Sequence, residues 1–166
     1  MTGDQAAEGA PTATSLGDSI VGFTRLAELA LSQVALSPTQ YRLLAHLRRG
    51  RTIQSDLAFR LAVTKQSVTR LVDGLVEKKL IVRQVDDEDR RRVIHAITPK
   101  GARVLARADE MLEHFLMAVL QDLDDDADIE AARRGIALFG EAGAASFGRV
   151  TPDGIVPGRK TRAGTL

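Results

Sequence analysis

Apolar residues recur at helical spacing along most of the chain, and this pattern predicts six helices. The predicted helices are Leu16–Leu36, Pro38–Arg49, Ile53–Leu61, Thr64–Leu80, Gly101–Leu123 and Asp128–Phe147. After Leu80 the period of the pattern changes from 3.6 to 2, and the β-branched segments Ile81–Val85 and Arg92–Ile97 predict two strands. A polar hairpin joins these strands. Since an isolated hairpin is only marginally stable, we expect it to pack beside the helices as a wing.

The predicted helix Thr64–Leu80 has two chemically different faces. Its apolar residues form one stripe, made of Val68, Leu71, Val72, Leu75 and Val76. The opposite face near its start carries Lys65, Gln66, Thr69 and Arg70, which can hydrogen-bond to base edges and phosphates. A short helix, a tight turn and a helix of this kind are typical of a helix-turn-helix. The alternative is an ordinary amphipathic helix with a solvated polar face.

Residues that favour helix starts lie at several of the predicted boundaries. Ser37, followed by Pro38 and by Gln40 three residues after the serine, predicts a capping box. Thr64 is expected to cap the helix that follows it, and Thr98 the helix that begins with Pro99. Thr52 is expected to cap the helix Ile53–Leu61.

The first and fifth predicted helices are apolar on more than one side. A helix of this kind has to be buried on more than one side, so each of them needs two packing partners. Residues 1–14 show no periodicity and are expected to be a disordered leader. Residues 148–166 contain two prolines, several glycines and four cations, and are expected to form a flexible basic tail.

The net charge of +1 hides a marked asymmetry along the chain. Residues 37–103 contain 15 Lys/Arg and 7 Asp/Glu, a net charge of +8, whereas the rest of the chain has a net charge of −7. The basic centre coincides with the predicted helix-turn-helix and wing. This coincidence predicts a polyanionic partner for the centre of the chain.

Several classes of function find no support in the composition. The absence of Cys excludes disulfides and thiolate metal sites, and the absence of Trp with a single Tyr disfavours single-strand binding by base stacking. The three histidines lack metal-ligand spacing, and no catalytic motif is present. We therefore expect no enzyme activity, no cofactor and no metal. Since no run of about 18 apolar residues occurs, we also expect no membrane partner and a cytoplasmic location.

The segment after the hairpin resembles the wing signature of MarR-family transcriptional regulators, D-x-R-x5-L-T followed by P-x-G. Here Asp89-Arg90-Arg91 is followed by five residues and by Ile97-Thr98-Pro99-Lys100-Gly101, with Ile in place of Leu. Asp56-Leu57-Ala58, Val68–Asp73 and Leu75 also match the family pattern. Two residues depart from the family pattern, and both lie at expected turns. Lys79 stands where the family usually has Gly, and Ala62 stands where it often has Gly or Asn.

The resemblance implies a mainly α fold with a small β-wing, in which a winged helix-turn-helix domain, residues 37–100, is flanked by long dimerisation helices, residues 15–36 and 101–147. It implies a homodimer that binds double-stranded DNA at a pseudo-palindromic operator, most often as a repressor. It also suggests a small-molecule effector pocket, for which Tyr41, His46 and His114 are candidates. The alternative is a winged-helix protein-interaction module that does not bind DNA.

The residues expected to contact DNA lie on the predicted helix Thr64–Leu80, which we call the recognition helix, and on the wing. They are Thr64, Lys65, Gln66, Ser67, Thr69, Arg70, Arg83, Asp89, Arg90, Arg91 and Arg92. Ser67 is as well suited to capping its helix as to touching DNA. Arg83 is expected to contact a phosphate, and Asp89 to orient an arginine of the wing. Asp73 and Glu77 are expected to lie outside the groove.

Overall fold

The computed structural model describes residues 15–61, 63–86, 89–146, 150–151 and 154–155. The chain is mainly helical with a small antiparallel sheet, as predicted. In chain order the elements are α1 Leu16–Ser32, α2 Pro38–Arg48, β1 Thr52–Ile53, α3 Gln54–Leu61, α4 Lys65–Glu77, β2 Ile81–Val85, β3 Val93–Ile97, α5 Pro99–Leu120, α6 Asp126–Ser146, β4 Val150–Thr151 and β5 Gly154–Ile155. The predicted leader and most of the predicted tail lie outside the described residues, as does Phe147.

Three predicted helix starts are confirmed by their capping hydrogen bonds. Ser37 Oγ accepts from the Gln40 amide at 3.2 Å, and Gln40 Oε1 accepts from the Ser37 amide at 3.0 Å, which completes the capping box. Thr64 Oγ1 accepts from the Ser67 amide at 3.1 Å. Thr98 Oγ1 accepts from the Gly101 amide at 2.9 Å. These caps satisfy amides that have no partner within their own helix.

The prediction that Thr52 caps a helix beginning at Ile53 is wrong. Thr52 and Ile53 form β1, which pairs antiparallel with β3 through Thr52 opposite His95 and Ile53 opposite Ile94. The helix α3 therefore begins one residue later, at Gln54. Among the described residues the sheet of the wing has three strands in the order β1-β3-β2. A strand of two residues is too short to show a period, so the pairing was invisible in the sequence.

Other predicted boundaries shift by a few residues. The largest shift is at the end of α1, which was predicted to reach Leu36 and ends at Ser32. Ala35 adopts a left-handed backbone conformation with φ 53°, and the Leu36 amide donates to the Leu31 carbonyl at 3.1 Å. This turn directs the chain into α2. β3 begins at Val93 rather than Arg92, and α5 begins at Pro99, as the Thr98 cap predicted, and ends at Leu120 rather than Leu123.

The hydrophobic core joins the helix-turn-helix to the end of α1 and the first half of α5. Its buried side chains are Leu31, Leu36, Leu43, Leu44, Leu47, Leu57, Leu61, Val68, Val72, Leu75, Leu80, Ile81, Leu105 and Ala108. Val68, Val72 and Leu75 of the predicted stripe of α4 are among them, whereas Leu71 and Val76 are partly buried. Because α5 supplies two of these core residues and contacts α2, the two helices are packed into one core.

At the end of α4, Lys79 occupies the position where the family pattern has a glycine. Lys79 adopts the left-handed conformation itself, with φ 59°. Its amide donates to the Val76 carbonyl at 2.8 Å, and the Leu80 amide donates to the Leu75 carbonyl at 2.9 Å, which is a Schellman motif. The turn geometry is thus retained with a lysine in the strained position. Ala62, the other departure, lies outside the described residues.

The outer ends of α1 and α6 remain uncovered in the single chain. Leu16 is 79% exposed and Phe139 is 69% exposed. Ile20 and Phe23 of α1 line an apolar groove of about 610 Å³ together with Ile136 and Phe139 of α6. No helix in the described part of the chain is long and apolar enough to cross a membrane.

Candidate nucleic-acid interface

The helix α4 separates its apolar and polar residues as predicted. Val68, Val72 and Leu75 are fully buried against the rest of the helix-turn-helix. Side chains on the opposite side are exposed, namely Thr64, Lys65, Gln66, Ser67, Thr69 and Arg70. An exposed cationic and amide-bearing surface on a helix that is held firmly from behind can enter a DNA major groove.

Two of the predicted contact residues are engaged in the helix start. Thr64 Oγ1 and Ser67 Oγ lie 2.9 Å apart, and the Ser67 amide donates to Thr64 Oγ1. Of the two roles that the sequence left open for Ser67, the structure shows the capping contact. These two side chains fix the first turn of α4, from which Lys65 and Gln66 project.

A residue that the sequence analysis missed also contacts α4. Gln54, the first residue of α3, donates from Nε2 to Thr69 Oγ1 at 2.6 Å. Thr69 Oγ1 in turn donates to the Lys65 carbonyl at 3.1 Å. The signal in the sequence was a glutamine close to the start of the short helix that precedes α4. Because this helix was expected to begin at Ile53, Gln54 was not recognised as its first residue.

Arg83 on β2 forms an ion pair with Asp73 on α4. Both side chains are about half exposed, so the pair contributes about 1 kcal/mol or less to stability. Its geometric effect is to connect the recognition helix with the wing. Arg83 was expected to contact a phosphate, and in the protein alone its guanidinium is directed to a carboxylate instead.

The wing tip presents three exposed arginines on a hydrogen-bonded hairpin. The Asp86 amide donates to the Arg92 carbonyl at 2.9 Å, and the Arg92 amide donates to the Asp89 carbonyl at 2.9 Å. Asp89 Oδ1 accepts from the Arg91 amide at 3.0 Å. Asp89 therefore shapes the backbone that carries Arg90 and Arg91. Residues 87 and 88 lie outside the described part of the hairpin.

His95 lies inside the sheet that supports the wing and is 1% exposed. Its Nδ1 lies 3.4 Å from the Thr52 carbonyl oxygen, whereas Nε2 has no hydrogen-bond partner among the described residues. Burial, together with the charge of Arg83, lowers the pKa of His95, although the contact with Thr52 opposes this shift. The ring is therefore held neutral between β1 and β2.

The three effector-pocket candidates lie in separate surroundings. The Tyr41 hydroxyl donates to Asp109 Oδ1 at 2.7 Å, and Arg48 Nη1 donates to Asp109 Oδ2 at 2.6 Å, which links α2 to α5. Burial, followed by the hydrogen bond to Asp109, raises the pKa of Tyr41 to about 12. Burial and the charges of nearby arginines lower the pKa of His46. His114 is exposed, and its ring meets Phe115 edge-on with a centroid separation of 6.2 Å.

No cluster of three or more His, Asp or Glu side chains that could hold a metal ion occurs within the described ranges. The start of α4 instead exposes the cations Lys65 and Arg70 and the amide of Gln66, and the wing exposes Arg90, Arg91 and Arg92. They are suited to phosphates and base edges, which are anionic or hydrogen-bonding partners.

Comparison with known proteins finds that this chain is similar to transcription regulators. A family model described as the MarR family matches residues 36–92. A curated transcriptional regulatory protein for the hcr operon of Thauera aromatica is 32% identical over 120 residues, which cover 72% of this chain and 69% of that protein. Among solved structures, the transcriptional regulator BldR from Sulfolobus solfataricus is 29% identical with a TM-score of 0.57, over 74% of this chain and 88% of that one.

A mutant of MepR from S. aureus, solved bound to an oligodeoxyribonucleotide, shares the fold with a TM-score of 0.58 and 22% identity, over 75% of this chain and 91% of that one. The matching family and the relatives are transcription regulators rather than enzymes. The chain belongs to the MarR family of winged-helix proteins and is a DNA-binding transcription regulator.

Proposed function

We propose that the protein is a homodimeric, sequence-specific repressor that binds double-stranded DNA at a pseudo-palindromic operator. The observation that carries the proposal is the exposed polar start of α4, with Lys65, Gln66 and Arg70 facing away from a fully buried stripe. In this proposal α4 occupies the major groove. Gln66 can pair with adenine and Arg70 with guanine, since both side chains can make two hydrogen bonds to one base. The oligodeoxyribonucleotide bound by the MepR mutant supports DNA as the partner.

In the same proposal the wing lies on the backbone and beside the minor groove. Arg90, Arg91 and Arg92 are exposed on a hairpin whose shape Asp89 holds. Narrow minor grooves attract arginine because their negative potential is enhanced. Arg83 supports the position of the wing through Asp73, and it contacts a phosphate if DNA displaces that carboxylate.

Affinity measured against salt concentration tests these two roles separately. Replacing Gln66 or Arg70 with Ala should weaken the preferred site by about 1–3 kcal/mol and relax base preference at one position per half-site. Arg91→Ala should weaken binding to every duplex more evenly and reduce the salt slope by about one unit, because one phosphate contact is lost. The operator itself is first obtained by selecting from random duplexes.

The proposal fails if Arg91→Ala leaves binding and its salt dependence unchanged. It also fails if the Gln66 and Arg70 variants lose random-duplex affinity as strongly as specific affinity. Absence of any DNA affinity that falls steeply with salt would favour the protein-interaction module instead.

The dimer is proposed from the apolar groove between α1 and α6. Its lining includes Ile20, Phe23, Ile136 and Phe139, and a patch of this kind on a single chain marks an interaction surface. A second copy of the chain would cover it. Light scattering should give twice the chain mass, and Phe139→Asp should shift it toward the monomer. Deleting residues 1–36 should yield aggregated or unfolded protein, and a soluble folded monomer from that deletion would contradict the proposal.

Release by a small molecule is proposed to act where α2 meets α5. Asp109 of α5 holds Tyr41 and Arg48 of α2, so a ligand inserted beside this contact would move the recognition helix through the shared core. A screen for compounds that raise the melting temperature and also release DNA tests the proposal. Compounds that stabilise the protein without changing its DNA affinity would speak against it.

A further inference from the structure

Gln54 makes a side-chain contact with α4 from another element. Its Nε2 lies 2.6 Å from Thr69 Oγ1. The Thr69 hydroxyl already donates its single proton to the Lys65 carbonyl at 3.1 Å, so the atom of Gln54 that faces it has to be a donor. This arrangement places the amide nitrogen toward Thr69. If the amide were turned, its oxygen would accept the same proton, so the single proton of Thr69 is in use in either orientation.

The two contacts limit what Thr69 can offer to a base. A hydroxyl has one proton and two lone pairs, and here the proton and one lone pair are in use. One lone pair and the methyl group remain. In the major groove guanine presents only acceptors, N7 and O6, whereas adenine and cytosine present an amino donor and thymine a methyl group. Held in this way, Thr69 can make no hydrogen bond to guanine.

The position of Gln54, directly after a paired strand, restricts its own movement and therefore that of Thr69. A threonine in a helix ordinarily divides its side chain between two rotamers, of which one bonds the carbonyl four residues earlier. Gln54 directly follows β1, whose residues Thr52 and Ile53 are paired with β3. The residue whose amide contacts Thr69 is thus held next to a paired strand of the wing sheet.

We propose that Gln54 is a positioning residue for base recognition, which holds Thr69 so that the regulator discriminates against guanine at the base that Thr69 faces. The proposal rests on the proposed function, since it requires α4 to occupy the major groove. The competing role for Gln54 is a direct contact with a phosphate, because it lies at the start of a helix beside α4. The two roles differ in their effect on base preference.

The experiment compares Gln54→Ala, Thr69→Val and the double variant in selection from randomised half-sites. It then measures affinity for the selected site with and without guanine at the position that Thr69→Val alters. Wild type should bind the guanine site about three- to tenfold more weakly, the equivalent of one unmade hydrogen bond. Gln54→Ala should remove most of this penalty, and the double variant should behave like either single variant.

Two control variants separate this role from general destabilisation. Gln40→Ala removes the capping-box hydrogen bond to Ser37 in the same domain, so it should lower the melting temperature and leave the guanine penalty intact. Gln54→Met, which keeps the length of the side chain without its donor, should lose the penalty as Gln54→Ala does, and it replaces that variant if the alanine protein does not fold.

The proposal is overturned if Gln54→Ala keeps the guanine penalty. It is equally overturned if Gln54→Ala weakens all duplexes evenly and adds to the effect of Thr69→Val, which is the signature of a phosphate contact. Arg70→Ala, measured in parallel, separates a failure of the role proposed for Gln54 from a failure of the proposed placement of α4 in the major groove. If Arg70→Ala also leaves base preference unchanged, the placement of α4 in the groove has failed, and the role of Gln54 fails with it.

Discussion

Gly101 offers a quantitative test of how α5 is joined to α4 and β2. A Cβ atom added at this position would lie 2.0 Å from the Leu80 carbonyl oxygen and 2.9 Å from Ile97 Cγ1. The first distance is far below van der Waals contact, and the obstacle is backbone rather than a flexible side chain. Gly101→Ala therefore requires the start of α5 to move away from Leu80.

The cost can be estimated from what that movement would break. The Leu80 carbonyl accepts from the Thr98 amide at 3.0 Å, and it lies 3.1 Å from Thr98 Oγ1, whose single proton is shared with the nearer Lys79 carbonyl at 2.8 Å. Losing part of these two hydrogen bonds costs about 0.5–1.5 kcal/mol each, and overpacking costs about 1–3 kcal/mol. The higher helix propensity of alanine returns about 1 kcal/mol. We expect a net loss of about 1–5 kcal/mol, and hence a melting temperature lower by roughly 2–20 °C.

Gly74 provides the matched control, because a Cβ added there meets nothing within 4 Å. The same substitution in the interior of α4 should raise stability by about 0.5–1 kcal/mol. Urea and thermal unfolding of both variants, at equal protein concentration, measure the difference. The reasoning is refuted if Gly101→Ala is as stable as the unchanged protein, or if Gly74→Ala is destabilised to the same extent.

Three further predictions concern single residues. Lys79→Gly should raise the free energy of unfolding by about 1 kcal/mol, because it removes the left-handed strain of a side-chain-bearing residue; a loss of stability in urea unfolding would contradict this. Asp109→Ala should bring the pKa of Tyr41 from about 12 part of the way toward 10, which ultraviolet titration of the single tyrosine measures, and an unchanged pKa would show that burial alone is responsible. The pKa of His95 in the folded protein is lowered from its ordinary 6.5, so the unfolded chain binds a proton at this residue more readily. The free energy of unfolding should therefore keep its full contribution from neutral His95 above pH 6.5 and fall as the pH drops below that value. Unfolding measured against pH should show a smaller fall in His95→Leu, although His46, whose pKa is also lowered, should preserve part of it.

The local sequence was sufficient to predict the starts of α2, α4 and α5 and the two faces of α4. A cap is formed by residues three positions apart, so Ser37 with Gln40 and Thr64 with Ser67 can be identified without knowing the fold. The stripe of α4 follows from helical geometry in the same way. The fourth helix and the wing strands were therefore predicted to within a few residues.

Only the tertiary structure determined which distant residues meet. The pairing of Thr52 with His95, and the contact of Gln54 with Thr69, join segments whose nearness depends on the packing of whole helices. No period or motif records such a contact, because each residue also suits an ordinary local role. The same reason explains why Thr52 was expected to cap a helix, and why the ion pair of Arg83 with Asp73 was not predicted. Composition and periodicity determine which surfaces are apolar or cationic, whereas the fold determines which side chains are already engaged and which remain available to DNA.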